Sequence, residues 1–155
     1  MAPERMDCLD RRILDIIQSG FPLAPRPYAE VGRQVGLTEA ETLARVRRLK
    51  QMGVIRRIGA SFNSRGLGWT STLCAASVPE DKLEAFIKEV NRHPEVTHNY
   101  LRKHECNVWF TLIAENVERV EAILRSVEDA TGIPVLNLPA EKLFKIKVDF
   151  NMAGA

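Results

Sequence analysis

The chain has 155 residues, of which 45% are hydrophobic and 27% charged, with a formal net charge of +2. These values are ordinary for a globular protein of one domain or two small ones. No apolar run approaches the roughly 20 residues of a membrane helix, and so small a charge does not by itself imply nucleic acid.

The opening MAPERMDCLDRR is charged and has no signal-peptide core, so a cytoplasmic location is expected. Leu9, Ile13, Leu14, Ile16 and Ile17 form a helical apolar stripe, stopped by Ser19-Gly20. Phe21 to Pro27 holds three prolines and predicts an extended connector. Helical spacing resumes near Tyr28 and runs to Val35, where Gly36 breaks it. Thr38 and Glu41 then form a capping box for a helix running to about Met52, with Leu43, Val46 and Leu49 inward. Two helices joined by a glycine turn are the helix-turn-helix pattern. Val54 to Phe62 predicts a strand and Asn63 to Gly68 a turn, which together would make a wing.

Past Trp69 the pattern changes. Thr70 to Val78 predicts a strand, and Pro79-Glu80 opens a helix with Leu83, Phe86, Ile87 and Val90 inward, closed by His93-Pro94. A β-hairpin follows, then a helix over Val117 to Thr131 with Val120, Ile123, Leu124 and Val127 on one face. Gly132 stops it, and Ile133 to Val148 supplies one or two final strands. The expected fold is α+β: a winged helix-turn-helix over residues 1–65, then a ferredoxin-like βαββαβ domain over 66–155. In such a unit both helices cover one sheet face and leave the other for a partner or ligand.

The hairpin, HNYLRKHECNVWFTL over 98–112, is the richest segment. With a four-residue turn at 103–106, Arg102 faces Asn107, Tyr100 faces Trp109 and His98 faces Thr111. Because strand residues alternate faces, these six lie on one side of the sheet, and Leu101, Val108, Phe110 and Leu112 on the other. A one-residue slip would exchange the two sets. One face is core; the other is a polar and aromatic ligand surface.

The chemistry of individual residues narrows the choice of ligand. The second helix of the helix-turn-helix carries Arg45, Arg47, Arg48 and Lys50, which suits phosphate contacts or simply a solvated helix end favoured by the dipole. Glu39 and Glu41 sit at the end that normally meets base edges, and with the proline-rich connector they disfavour DNA. Arg56 and Arg57 fit a carboxylate or phosphate clamp, or a surface charge pair, and spacing does not separate these readings. His98, sharing a face with Tyr100 and Arg102, is the first choice for proton transfer, and His104 in the turn is the second. His93, before Pro94, reads as a helix end only. Cys8, Cys74 and Cys106 have no zinc spacing and are expected as reduced thiols.

From Leu9 to Phe150 the chain resembles the AsnC-type, leucine-responsive regulators, a likeness carried by LDRRIL and LARVRRLKQMGVI. Four further blocks resemble the siroheme decarboxylases, closer to their alpha-type than their beta-type subunit. They are FPLAPRPYAEVG (21–32), GVIRRIGASFNSRGLGWTSTL (53–73), the hairpin (98–112) and LPAEKLFKIKVDF (138–150). Cys106 departs from the tyrosine more usual there.

That resemblance implies a carboxy-lyase converting two acetate side chains of siroheme to methyl groups, on an alternative haem or d1 haem route. It implies pairing with a homologous beta-type subunit and a tetrapyrrole bound between domains. Arg56, Arg57 and Arg102 are then candidates for clamping carboxylates, with Tyr100, Asn107 and Trp109 as further contacts. His98 is a candidate proton donor or ligand to the substrate iron, and His104 a candidate donor. No cofactor beyond the iron-containing tetrapyrrole itself is expected, since the macrocycle can delocalise the charge left by decarboxylation. The competing readings are a DNA-binding regulator sensing a small molecule or haem, and a non-catalytic supporting subunit.

Overall fold

In a computed structural model, the structure describes residues 6–145, 149, 150 and 152. The chain divides into two compact units, one formed by residues up to Ala60 with those from Lys145 onward, the other by Ser61–Phe144.

The first unit is helical. Helix α1, Cys8–Ser19, starts at a reciprocal cap. The Asp10 N–H donates to Asp7 Oδ1 at 2.8 Å, and the Asp7 N–H to Asp10 Oδ2 at 3.0 Å. Helix α2, Pro27–Val35, has proline in its first turn and ends at Gly36, whose φ of 79° is a left-handed conformation that glycine adopts without steric cost. Helix α3, Glu39–Gln51, starts at the expected Thr38–Glu41 capping box. Ile13, Val31, Val46 and Leu49 bury against one another.

The α2–α3 turn depends on one small residue. A Cβ on Gly32 would stand 2.5 Å from the Leu37 carbonyl oxygen and 2.7 Å from Thr42 Oγ1. Neither the backbone carbonyl nor the buried Thr42 can yield freely. Gly32→Ala is expected to destabilise this unit by about 1–3 kcal/mol, as overpacking does. Thermal unfolding followed by circular dichroism checks this, and an unchanged midpoint would refute it.

The segment expected to form the wing strand is not a strand. Residues 54–62 make no ladder, and most are exposed. The Val54 and Ile55 N–H groups instead both donate to the Leu49 carbonyl, at 3.0 and 3.2 Å, closing the end of α3. Only Ile55 buries its side chain, so the apolar residues that suggested a strand have no sheet to join. Residues 65–67 form a single 3-10 turn.

The C-terminal tail also differs from the expected division at 65/66. Gln18 bonds the Phe150 backbone in both directions, each at 2.9 Å, and the Met152 N–H reaches Asp15 at 3.3 Å. Phe150 and Met152 therefore belong with α1. Of the expected final strands, one forms at 135–139; residues 142–145 are not strand, and 146–148 lie outside the described residues.

The second unit is the expected ferredoxin-like arrangement. Strand β1 (Thr70–Ala76), helix α4 (Leu83–Asn91), β2 (Val96–Leu101), β3 (Val108–Ala114), α5 (Val117–Thr131) and β4 (Val135–Pro139) follow in order. The sheet is antiparallel throughout, with strand order β2-β3-β1-β4. Phe86 and Val90 of α4, and Val120, Ile123 and Val127 of α5, pack with Cys74, Val108, Phe110 and Leu112. Both helices thus cover one face and leave the other open. Burial pushes the Cys74 thiol up to about 12, which keeps it protonated and unreactive. Among the described residues, no helix is long and apolar enough to cross a membrane.

Candidate functional site

The hairpin has the register its alternation predicts. His98 pairs with Thr111 and Tyr100 with Trp109. The Arg102 N–H closes the turn onto the Asn107 carbonyl at 2.7 Å. Val108, Phe110 and Leu112 are buried, as expected. Leu101 is 62% exposed, because it ends the edge strand β2 beyond the packed core.

Pairing across the sheet extends the open face in rows. Tyr100, Trp109, Ala75 and Leu136 form one row; His98, Thr111, Leu73 and Leu138 form the next. Tyr100, Leu73, Leu136 and Leu138 are exposed. The face is thus aromatic and apolar, with the polar turn at one corner.

A cavity of about 650 Å³ opens there, lined by Leu73, Tyr100, Arg102, Lys103, His104 and Trp109. The structure brings together four of the residues selected from sequence, namely Tyr100, Arg102, His104 and Trp109. It adds Lys103 and Leu73. Lys103 was legible as part of the RKH run, whereas Leu73 enters only through β1–β3 pairing. Among the described residues, no carboxylate is paired with Arg102 or Lys103, so both charges stand available to an anionic ligand.

The two histidines of the hairpin differ in what they present. His104 lies edge-on to Trp109, with ring centroids 6.4 Å apart, and its Nδ1 accepts the Cys106 N–H at 3.1 Å. An accepting Nδ1 places the neutral ring's proton on Nε2, so His104 offers an N–H donor. The Trp109 indole N–H holds the same turn by donating to the Cys106 carbonyl at 2.7 Å. His98 stacks on Tyr100 at 6.0 Å and does not line the cavity. Its Nδ1 lies 3.1 Å from Thr97 Oγ1, and that hydroxyl donates to the Thr111 carbonyl at 3.4 Å. The direction of the His98–Thr97 contact is set by the ring's tautomer.

The remaining candidates lie elsewhere or are otherwise engaged. Asn107 accepts the Val78 N–H and donates to the Val78 carbonyl, both at 2.8 Å, rather than facing the cavity. Arg56 and Arg57 are exposed in the first unit and do not line the cavity; Arg57 donates to the Ala60 carbonyl at 3.1 Å. His93 is half-buried beside Glu89, with 3.9 Å between Nε2 and Oε1.

Two of the four cations of helix α3 are paired within its own unit. Arg45 donates to Asp7 at 2.7 Å and to Asp10 at 2.8 Å, and Arg48 also binds Asp10. Asp10 is fully buried. Burial pushes its carboxyl up, but the Asp7 N–H and the two guanidiniums outweigh this and hold it below the usual range. Asp7 is held low by the Asp10 N–H first and Arg45 second. Arg47 and Lys50 remain exposed, which is a small cationic footprint for a recognition helix.

Comparison with known proteins places these features in a family. Residues 10–56 match the siroheme decarboxylase NirDL-like HTH domain, and residues 66–145 match the AsnC-like ligand binding domain. The chain is 62% identical over 147 residues to a siroheme decarboxylase alpha subunit of Desulfovibrio desulfuricans, covering 95% of this chain and 85% of that protein. It is 60% identical over 149 residues to the alpha subunit of Nitratidesulfovibrio vulgaris, covering 96% and 85%. Among solved structures it resembles the siroheme decarboxylase NirDL in co-complex with an iron-uroporphyrin III analogue, with TM-score 0.66 and 34% identity over 84% of this chain and 43% of that one. It also resembles E. coli AsnC, with TM-score 0.79 over 94% and 99% of the two chains; at 18% identity that likeness shows the fold alone.

Proposed function

Because this chain belongs to the siroheme decarboxylase family, we propose that its open sheet face and hairpin turn form the siroheme site of a decarboxylase subunit. The observation that carries this reading is the cavity itself, where Trp109 and Tyr100 meet Arg102, Lys103 and His104. Siroheme is a planar macrocycle ringed by carboxylates. Aromatic and aliphatic side chains suit its plane, and unpaired cations suit its rim. The reaction converts two acetate side chains to methyl groups and gives didecarboxysiroheme, on a route to haem or d1 haem.

In each step the bond between the side-chain methylene and its carboxyl carbon breaks, and carbon dioxide leaves. The electron pair left on the methylene spreads into the macrocycle, so no separate organic cofactor is needed. The pair is then protonated to a methyl. We assign that proton to the His104 Nε2–H, because His104 lines the cavity, and the ring takes a proton back from water afterwards. His98, a neutral imidazole on the same open face, suits the substrate iron.

We further assign a homologous beta-type subunit as the partner, because the relatives in Desulfovibrio and Nitratidesulfovibrio are named alpha subunits. The exposed Leu136 and Leu138, outside the cavity lining, form an apolar patch that such a partner would cover. The complex would work in the cytoplasm. The regulator reading has less support, since Asp7 and Asp10 engage half of the α3 cations.

Anaerobic incubation with siroheme, with and without the homologous subunit, tests the reading by mass analysis. Loss of two carboxyl groups from each siroheme supports it, and unaltered siroheme in the complete complex refutes it. Arg102→Ala and Lys103→Ala are each expected to weaken tetrapyrrole binding roughly tenfold or more, since hydrogen bonds to charged groups contribute about 1.5–3 kcal/mol. Titration of the tetrapyrrole absorbance measures this. The same titration on Arg56→Ala and Arg57→Ala tests the clamp their sequence suggests, and wild-type affinity in both would remove them from the site.

A further inference from the structure

We propose that Asn107 is a positioning residue, which holds the His104 turn in place by pairing its side-chain amide with the backbone of Val78. The inference rests on the siroheme site assigned above. Asn107 falls on the ligand side of the hairpin by alternation, so a direct substrate contact would be the simple expectation. Its amide is already committed to protein. Oδ1 accepts the Val78 N–H and Nδ2 donates to the Val78 carbonyl, each at 2.8 Å.

That reciprocal pattern imitates a hydrogen-bonded residue pair of an antiparallel ladder. Strand β1 ends at Ala76, opposite Val108 of β3. Just beyond that point the Asn107 side chain replaces the missing backbone pairing. Val78 is itself buried in the core, so the anchor is rigid.

From this anchor a short series of contacts leads to the proton donor. The Asn107 carbonyl receives the Arg102 N–H at 2.7 Å and so closes the turn. Cys106, the preceding residue, receives the Trp109 indole N–H at its carbonyl and gives its own N–H to His104 Nδ1. The orientation of that one backbone amide sets which His104 nitrogen carries the proton. Asn107 therefore fixes both the place of His104 and its tautomer, without touching substrate.

Asn107→Ala leaves the Val78 N–H and carbonyl without their partner and frees the base of the turn. In the two-subunit complex, kcat is expected to fall about 100-fold, the scale of a small misplacement of a reacting group. Tetrapyrrole affinity, read by absorbance titration, should stay near wild type. Nitrogen-15 spectra of the His104 ring should lose the single tautomer with an accepting Nδ1. Asn107→Asp still accepts the Val78 N–H but loses the bond to its carbonyl, so an intermediate loss is expected, and this variant keeps the test open should the alanine variant not fold. Weakened affinity with kcat retained would make Asn107 a direct ligand and overturn the proposal. Unchanged ring signals with unchanged kcat would overturn it equally. Should the wild-type complex leave siroheme intact, the site assignment fails, while the ring spectra of the variants still decide what Asn107 does.

Discussion

His104→Ala, assayed in the complex with the homologous subunit, is expected to slow siroheme decarboxylation by roughly 100- to 10,000-fold, the usual range for a lost general acid. His104 is the histidine that lines the cavity, beside Arg102, Lys103 and Trp109. Its Nδ1 is occupied by the Cys106 N–H, so its exchangeable proton sits on Nε2. Affinity for the tetrapyrrole should change much less than turnover, because the ring's contribution arises where the carbanion is protonated. His98→Ala should behave differently. Because His98 is the candidate ligand to the substrate iron, its loss should alter the absorbance spectrum of the bound iron tetrapyrrole, and binding with it. Near wild-type turnover by His104→Ala would show that the proton comes from elsewhere. The partner subunit would then be the place to look, and this chain would supply mainly shape and cationic contacts.

A comparable effect, on stability rather than rate, is expected at Asp10. This carboxylate is fully buried, accepts the Asp7 N–H, and pairs with Arg45 and Arg48, whose side chains are 25% and 30% exposed. Removing one member of a buried ion cluster strands the others. Partial exposure of the arginines softens this, so Asp10→Ala should destabilise the helical unit by about 3 kcal/mol, the lower end for such a change. Asp10→Asn keeps an acceptor for one guanidinium and should cost less. The sign with pH follows from the depressed carboxyls of Asp7 and Asp10. Their stabilisation is fully present above the unfolded value of about 3.9 and is lost as pH falls through the lower folded values. Urea denaturation of wild type and Asp10→Ala should therefore differ most at neutral pH and converge in acid. Equal midpoints at pH 7 would remove the cluster from the stability of this unit.

The hairpin register followed from parity alone. Once 103–106 is a turn, Tyr100 must meet Trp109 and the apolar residues must share the other face. Helix ends were legible for a similar reason. Thr38 with Glu41, Gly36 and Gly132 act through their own backbone and nearest neighbours, and those local signals do not depend on the rest of the fold. The wing strand failed because an apolar run makes a strand only where another strand accepts its hydrogen bonds, and residues 54–62 have none.

What the sequence determined by itself was thus local: where helices begin and stop, which strand residues share a face, and which hairpin residues stand together on the open one. Tertiary structure decided the rest, because it concerns which distant groups meet. Placing β1 between β3 and β4 put Leu73 into the cavity wall and carried Leu136 and Leu138 onto the same face. Packing α1 against α3 turned Arg45 and Arg48 from apparent phosphate contacts into partners of Asp7 and Asp10. The meeting of Asn107 with Val78, 29 residues apart, gave protein partners to an amide that alternation alone directs to the open face. Periodicity gives the direction of a side chain from its own element, but its partner across such a separation is set only when the sheet and the helices pack.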